Sequence, residues 1–140
     1  VDKDHPASNQ VKLEAAFADS AANIATLEEG AEVPALDLLW VGMGGDGHIA
    51  SLFPEMSCED QPGAKVIRTE PIPLPPEAPF PRLSMNFEAL TTAPKETIIV
   101  IRGADKKAVI EDAMRGDSDL PVARLLRTSR CPVTIYWSPA

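Results

Sequence analysis

The sequence predicts an α/β fold, with a mainly parallel sheet flanked by helices. Three observations carry that expectation. Short apolar runs at residues 36–43, 98–101 and 133–137 have the length of buried strands. Segments whose apolar residues recur every three or four positions stand between those runs, as helices do. Glycines close the first run and follow the second at Gly103, so each strand opens into a loop. In such a fold the ligand site lies beyond the carboxyl ends of the strands.

Taken in order, Ser8 is placed to cap a helix whose apolar face uses Leu13, Phe17, Ala21, Ile24 and Leu27, with Gly30 ending it. The run "ALDLLWVGMG" is read as a buried strand, and a second strand is placed at residues 65–69. Six of the fourteen prolines fall at residues 71–81, which excludes a helix there and implies an extended or turning surface connection. "PRLSM" resumes as a strand, "NFEALTTA" reads as a helix, and "ETIIVIRG" as another buried strand. A helix from about Asp105 presents Val109, Ile110, Ala113 and Met114 on one face; "PVARLL" forms a short helix before the closing strand "VTIYW".

Length and composition allow one domain. A chain of 140 residues with 44% hydrophobic residues can build a core without metal or disulfide staples. A formal net charge of -8 and the lack of a Lys/Arg stripe argue against a nucleic-acid partner. Cys58 and Cys131 form no CxxC pair, so no zinc site or disulfide framework is expected, and a reducing, cytoplasmic location is the default. The longest apolar run is far below the roughly 18 to 20 residues that span a bilayer, so no membrane partner is expected.

The chemistry concentrates in "GMGGDGHIASLFP", residues 42–54, which holds Gly42, Gly44, Gly45 and Gly47, half of the chain's eight glycines. Glycine lets the main chain approach a ligand closely, so such a turn can aim successive N–H groups at an anion or a developing oxyanion. Asp46 and His48 sit inside it. A plain strand-to-helix turn with a capping Asp and a surface His is the simpler reading of an isolated Gly-x-Gly. Here the loop follows a buried strand and carries a titratable imidazole to the sheet's carboxyl edge.

This segment resembles the 6-phosphogluconolactonases, within the wider group that includes the glucosamine-6-phosphate deaminases. The deaminases share the Gly-x-Gly-x-Asp-Gly-His start but continue with an Asn-Glu-Pro type of ending, which supplies another acid. Ser51, Leu52, Phe53 and Pro54 stand here instead, as in the lactonase branch. Similar stretches are "DHPASN", "PRLSMNFEAL", "GADKKAVIEDA" and "CPVTIYW", in the same order. The resemblance implies a Rossmann-like domain of which residues 1–140 are the C-terminal portion, lacking an N-terminal part with a phosphate loop and an Asp-Glu-Arg segment. An open flank on the sheet is then expected, covered by that segment or by a homo-oligomer contact.

The resemblance also implies an activity: hydrolysis of 6-phospho-D-glucono-1,5-lactone to 6-phospho-D-gluconate, in the pentose phosphate pathway, with no cofactor and no metal. His48 would serve as general base and acid. Asp46 would orient the imidazole, bind a sugar hydroxyl, or fix the turn through an Asx-type bond. Gly44, Gly45 and Gly47 would approach the phosphorylated sugar lactone, and Arg82 and Lys106 would capture its charge, Arg82 with a planar fork and Lys106 as a point charge beside a helix N-terminus. Lys107 and Arg102 are the alternative cations. Ser51 has no Gly-x-Ser-x-Gly elbow and reads as a helix-start hydroxyl; His5 reads as structural or exposed. The alternatives are a glucosamine-6-phosphate deaminase/isomerase and a non-catalytic sugar-phosphate-binding protein.

Overall fold

The computed structural model describes residues 5–59 and 61–140. Its elements are α1 (Asn9–Ala16), β1 (Leu39–Gly42), β2 (Met56–Cys58), β3 (Val66–Pro71), β4 (Arg82–Met85), α2 (Phe87–Thr92), β5 (Thr97–Arg102), α3 (Ala104–Arg115), α4 (Pro121–Thr128) and β6 (Val133–Ser138). Residues 1–4, which precede His5 in "VDKDHPASN", lie outside the described residues.

The expected parallel sheet is present, in the order β1-β5-β6 with β5 in the centre. β5 is built from β-branched residues, which suit a pleated, packed surface. Thr97, Ile99 and Ile101 point into the core, beside Leu39 and Val41 of β1. Leu90 of α2, Ile110 and Ala113 of α3, and Val122, Ala123 and Leu125 of α4 close over that face. Burying a side chain such as Ile99 stabilises the fold by about 1.5 to 3 kcal/mol.

The ends of α2, α3 and α4 follow their sequence signals, whereas Ser8 stands at the start of α1 without a side-chain cap bond. Asn86 caps α2 by accepting the Ala89 N–H at 2.9 Å. Gly116 ends α3 in the left-handed conformation at φ +84°, and Asp117 N–H returns to the Asp112 carbonyl. Pro121 opens α4, where a missing N–H costs nothing.

Strands β3 and β4 do not join that sheet. With β2 they form a separate antiparallel sheet, order β2-β3-β4, on which Val66, Ile67, Thr69 and Ser84 are buried. β2 has only three residues and no alternation to announce it.

Three local expectations are corrected. The first helix stops at Ala16 instead of Gly30, because residues 17–22 turn: Ser20 Oγ donates to the Phe17 carbonyl and accepts the Ala22 N–H, offering the backbone bonds that compete with helix. Its intended face finds no core, and Leu13, Phe17 and Leu27 are exposed. Met114 leaves the buried face of α3 and is 65% exposed, whereas Ile110 and Ala113 stay inside. Ser51 starts no helix; it lies in a turn tied to the second sheet, its N–H donating to Ser84 Oγ and its carbonyl accepting from Thr69 Oγ1.

The opposite face of the parallel sheet is open. Trp40 is 70% exposed and Tyr136 56%, with Val100 between their strands and Leu38 just before β1, all exposed. The register sets Trp40 beside Ile98, and Gly42, Val100 and Tyr136 in one row. Parallel sheets ordinarily bury both faces, whereas this apolar row is exposed.

Candidate functional site

The glycine-rich loop leaves the carboxyl end of β1 and folds back on itself. Gly44 N–H donates to the His48 carbonyl at 3.0 Å and Gly47 N–H to the Gly44 carbonyl at 3.0 Å. Isolated bridges pair Met43 with Ile49 and Ile49 with Leu52, and all three side chains are buried. The loop is thus clamped to the core at both ends. Gly47 is needed at φ +79°, where a side chain would also meet Leu120 at 2.8 Å. Its carbonyl accepts from Val122 N–H, which fastens the tip to the start of α4.

At the tip Asp46 grips its neighbour twice. One carboxylate oxygen, Oδ1, accepts the His48 backbone N–H at 3.1 Å and lies 2.6 Å from the imidazole Nδ1. Partial burial pushes the Asp46 carboxyl up, but the bonds from the His48 backbone and side chain, the imidazole's charge and the backbone N–H of Asp46 itself outweigh it. The net result lies below the usual carboxylate range. An ionised carboxylate only accepts, so Nδ1 carries the hydrogen, and whenever the ring is neutral Nε2 holds the lone pair. An imidazole fixed in this tautomer can take a proton at Nε2 and return it.

His48 is one-third exposed and lines a cavity of about 450 Å³, together with Gly45, Asp46, Phe53, Glu55 and the proline-rich segment that follows β3. Phe53 and Glu55 escaped the sequence reading as site residues. The signal for Phe53 was its place in the loop motif; Glu55 had none. Of the three candidate glycines, Gly44 and Gly47 spend their N–H groups inside the loop, which narrows the expectation that all three point at a ligand. Gly45 lines the cavity, and its N–H has no acceptor among the described residues.

Arg82 opens β4, and its guanidinium lies 5.0 Å from the centre of the Phe53 ring. The His48 ring lies 4.6 Å from the same ring. Two of the guanidinium donors hold the carbonyls of Phe80 and Ala78 at 3.2 Å each. Arg82 faces a second cavity of about 720 Å³, with Arg68, Lys12 and Ser51 on its wall. The Phe53 ring therefore contacts both the imidazole and the planar cation.

Lys106 lies in the first turn of α3, whose Asp105 comes up to the loop: a β-carbon at Gly45 would be 3.8 Å from its carboxylate. Among the described residues Lys106 has neither an ion pair nor a hydrogen bond, and it lines neither cavity. Lys107 is engaged instead by Glu111 at 3.4 Å and by the Trp137 ring. His5 is exposed and turns its Nδ1 to the Ala7 N–H, a local structural bond. No helix among the described residues is long and apolar enough to cross a membrane.

The family model described as glucosamine-6-phosphate isomerases/6-phosphogluconolactonase matches residues 1–137. A 6-phosphogluconolactonase of Helicobacter pylori is 36% identical over 101 residues, covering 70% of this chain and 42% of the relative. One from Rhizobium meliloti is 33% identical over 129 residues, covering 87% and 53%. Among solved structures, a 6-phosphogluconolactonase from Shewanella baltica superposes with a TM-score of 0.76 over 99% of this chain and 67% of its own, at 22% identity, a likeness of fold alone. That from Trypanosoma brucei has a TM-score of 0.59 at 27% identity, covering 91% and 50%. The chain spans about half the length of the curated relatives it matches.

Proposed function

Because the chain belongs to the glucosamine-6-phosphate isomerase/6-phosphogluconolactonase family, we propose that it carries the acid–base loop of an enzyme hydrolysing 6-phospho-D-glucono-1,5-lactone to 6-phospho-D-gluconate. The observation that carries this reading is the 2.6 Å contact between Asp46 Oδ1 and His48 Nδ1 at the wall of an open cavity. Water attacks the lactone carbonyl carbon while Nε2 of His48 accepts its proton. The carbonyl oxygen gains charge, and the Gly45 N–H is the loop donor left to meet it. As the tetrahedral intermediate collapses, the ring oxygen leaves and takes the proton back from Nε2, freeing a hydroxyl and a carboxylic acid. Asp46 steadies the imidazolium between the two transfers. Arg82 and Lys106 supply positive charge for the phosphate.

The same reading makes residues 1–140 one portion of a larger α/β domain, with further chain of the longer protein packed over Trp40, Val100 and Tyr136. Support comes from the relatives' greater length and from the open apolar row.

The decisive assay uses the full-length protein. Lactone hydrolysis above the spontaneous rate, abolished by His48→Ala, is the expected result. Conversion of glucosamine 6-phosphate in its place would move the chain to the isomerase side of the family, and saturable sugar-phosphate binding with no turnover of either substrate would make it a binding protein.

A further inference from the structure

One bond and one backbone approach fix the edge of the His48 imidazole, yet neither fixes its plane. The ring can still rock about the line from Nδ1 to Asp46 Oδ1, which swings Nε2 across the cavity. Phe53 meets that need. Its ring lies 4.6 Å from the imidazole, centre to centre, with the planes tilted by 33°. Its own place is held from both sides of the chain: Leu52 is fully buried and paired with Ile49, and Pro54 restricts the backbone before it. The same aromatic ring lies under the Arg82 guanidinium at 5.0 Å, an arrangement attractive to a cation. One side chain therefore touches both the proton-transfer group and a candidate phosphate anchor.

We propose that Phe53 is a positioning residue, whose ring fixes the plane of the His48 imidazole and the seat of the Arg82 guanidinium together. An apolar filler would need only volume. A positioning ring needs a flat face, and that difference is measurable. The kinetic form of the proposal rests on the lactone-hydrolysis reading above; its structural form does not.

The test compares Phe53→Leu, Phe53→Tyr, Arg82→Ala and the Phe53→Leu/Arg82→Ala double variant in the full-length protein, with Phe53→Met in place of Phe53→Leu should that variant not fold. Phe53→Leu is expected to lower kcat by about 10- to 100-fold, since small misplacements of a reacting group are costly. It should raise KM by about 2- to 5-fold through the lost cation–π contact. Phe53→Tyr, which keeps the flat face, should restore most of kcat. In the Arg82→Ala background Phe53→Leu should still lower kcat but no longer raise KM. Without substrate, the carbon-bound imidazole proton resonances of His48 should shift and broaden in Phe53→Leu, as the ring rocks, and stay sharp in Phe53→Tyr, which keeps the flat face. A wild-type protein without lactonase activity would sink the functional reading, and the imidazole resonance would then decide the positioning role alone. An unmoved resonance, wild-type kinetics in Phe53→Leu, or equal losses in the Leu and Tyr variants would overturn the proposal.

Discussion

Gly44 lies against the His48 imidazole with no room for a side chain: a β-carbon there would overlap both Cε1 and Nδ1 and stand 2.7 Å from Oδ1 of Asp46. Gly44 is not among the glycines at positive φ, so alanine is conformationally allowed. The colliding atoms are the far end of a side chain that can rotate away. Gly44→Ala should therefore leave the melting temperature within a few degrees of wild type while kcat falls roughly 100-fold or more, the size of an acid–base contribution. Unchanged turnover would separate the imidazole from the chemistry, and a large loss of melting temperature would make the close approach a folding requirement.

Removing the imidazole directly gives the reference for that value. His48→Ala should lower kcat by about 100- to 10,000-fold with a small change in KM, because a proton-transfer group acts in the transition state more than in substrate binding. Steady-state kinetics on the full-length protein reads both parameters. A raised KM with unchanged kcat would recast His48 as a binding residue.

Asp46 ties the same site to pH. Its folded-state carboxyl lies below the usual range, so it contributes stability that is present above the unfolded value and lost as pH falls through the folded one. The stability difference between wild type and Asp46→Asn should be flat near neutrality and shrink on acidification below the ordinary carboxylate range. Its size is small, because the carboxyl is half exposed and water screens the interaction. Denaturant melts across that acidic window test the sign. A difference that grows on acidification would contradict the lowered value. In kinetics, Asp46→Asn should cost about 10- to 100-fold in kcat, since an amide no longer dictates which imidazole nitrogen carries the hydrogen.

Much of this site was legible because its constraints are local. The order of buried strands, the Gly44 to His48 loop and the closing helices all leave a pattern within a dozen residues. What escaped depends on distant partners. The helix expected to reach Gly30 had the right spacing, but spacing cannot say whether a core lies opposite, and Leu13 and Phe17 remain exposed. β2 exists because residues 69–71 of β3 lie beside it. Phe53 reads as one more apolar residue until Arg82, 29 positions on, is brought over its ring.

Arg82 and Lys106 should separate by their existing attachments. A charge-assisted contact to phosphate contributes about 1.5 to 3 kcal/mol, so losing either one should raise KM by roughly 10-fold or more while kcat changes little. Arg82→Ala also releases the Phe80 and Ala78 carbonyls and should lower the melting temperature, whereas Lys106, with no partner to lose among the described residues, should not. KM and melting temperature measured together distinguish the two. An unchanged KM in both variants would place the phosphate anchor elsewhere.

The open sheet face supplies the last prediction. Trp40 projects from an edge strand, in line with Leu38 and beside the row of Val100 and Tyr136. A ring already in water contributes little, and its replacement should cost within about 0.5 kcal/mol. The same ring buried under further chain contributes far more, because truncating a packed Trp typically costs about 3 to 5 kcal/mol. Trp40→Ser in the full-length protein should therefore lower unfolding stability by the larger amount if the additional residues of the longer protein pack there. A cost that falls as protein concentration drops would point to a second copy as the cover. A near-zero cost at all concentrations would leave the face exposed and remove the argument that this chain is one portion of a larger packed domain.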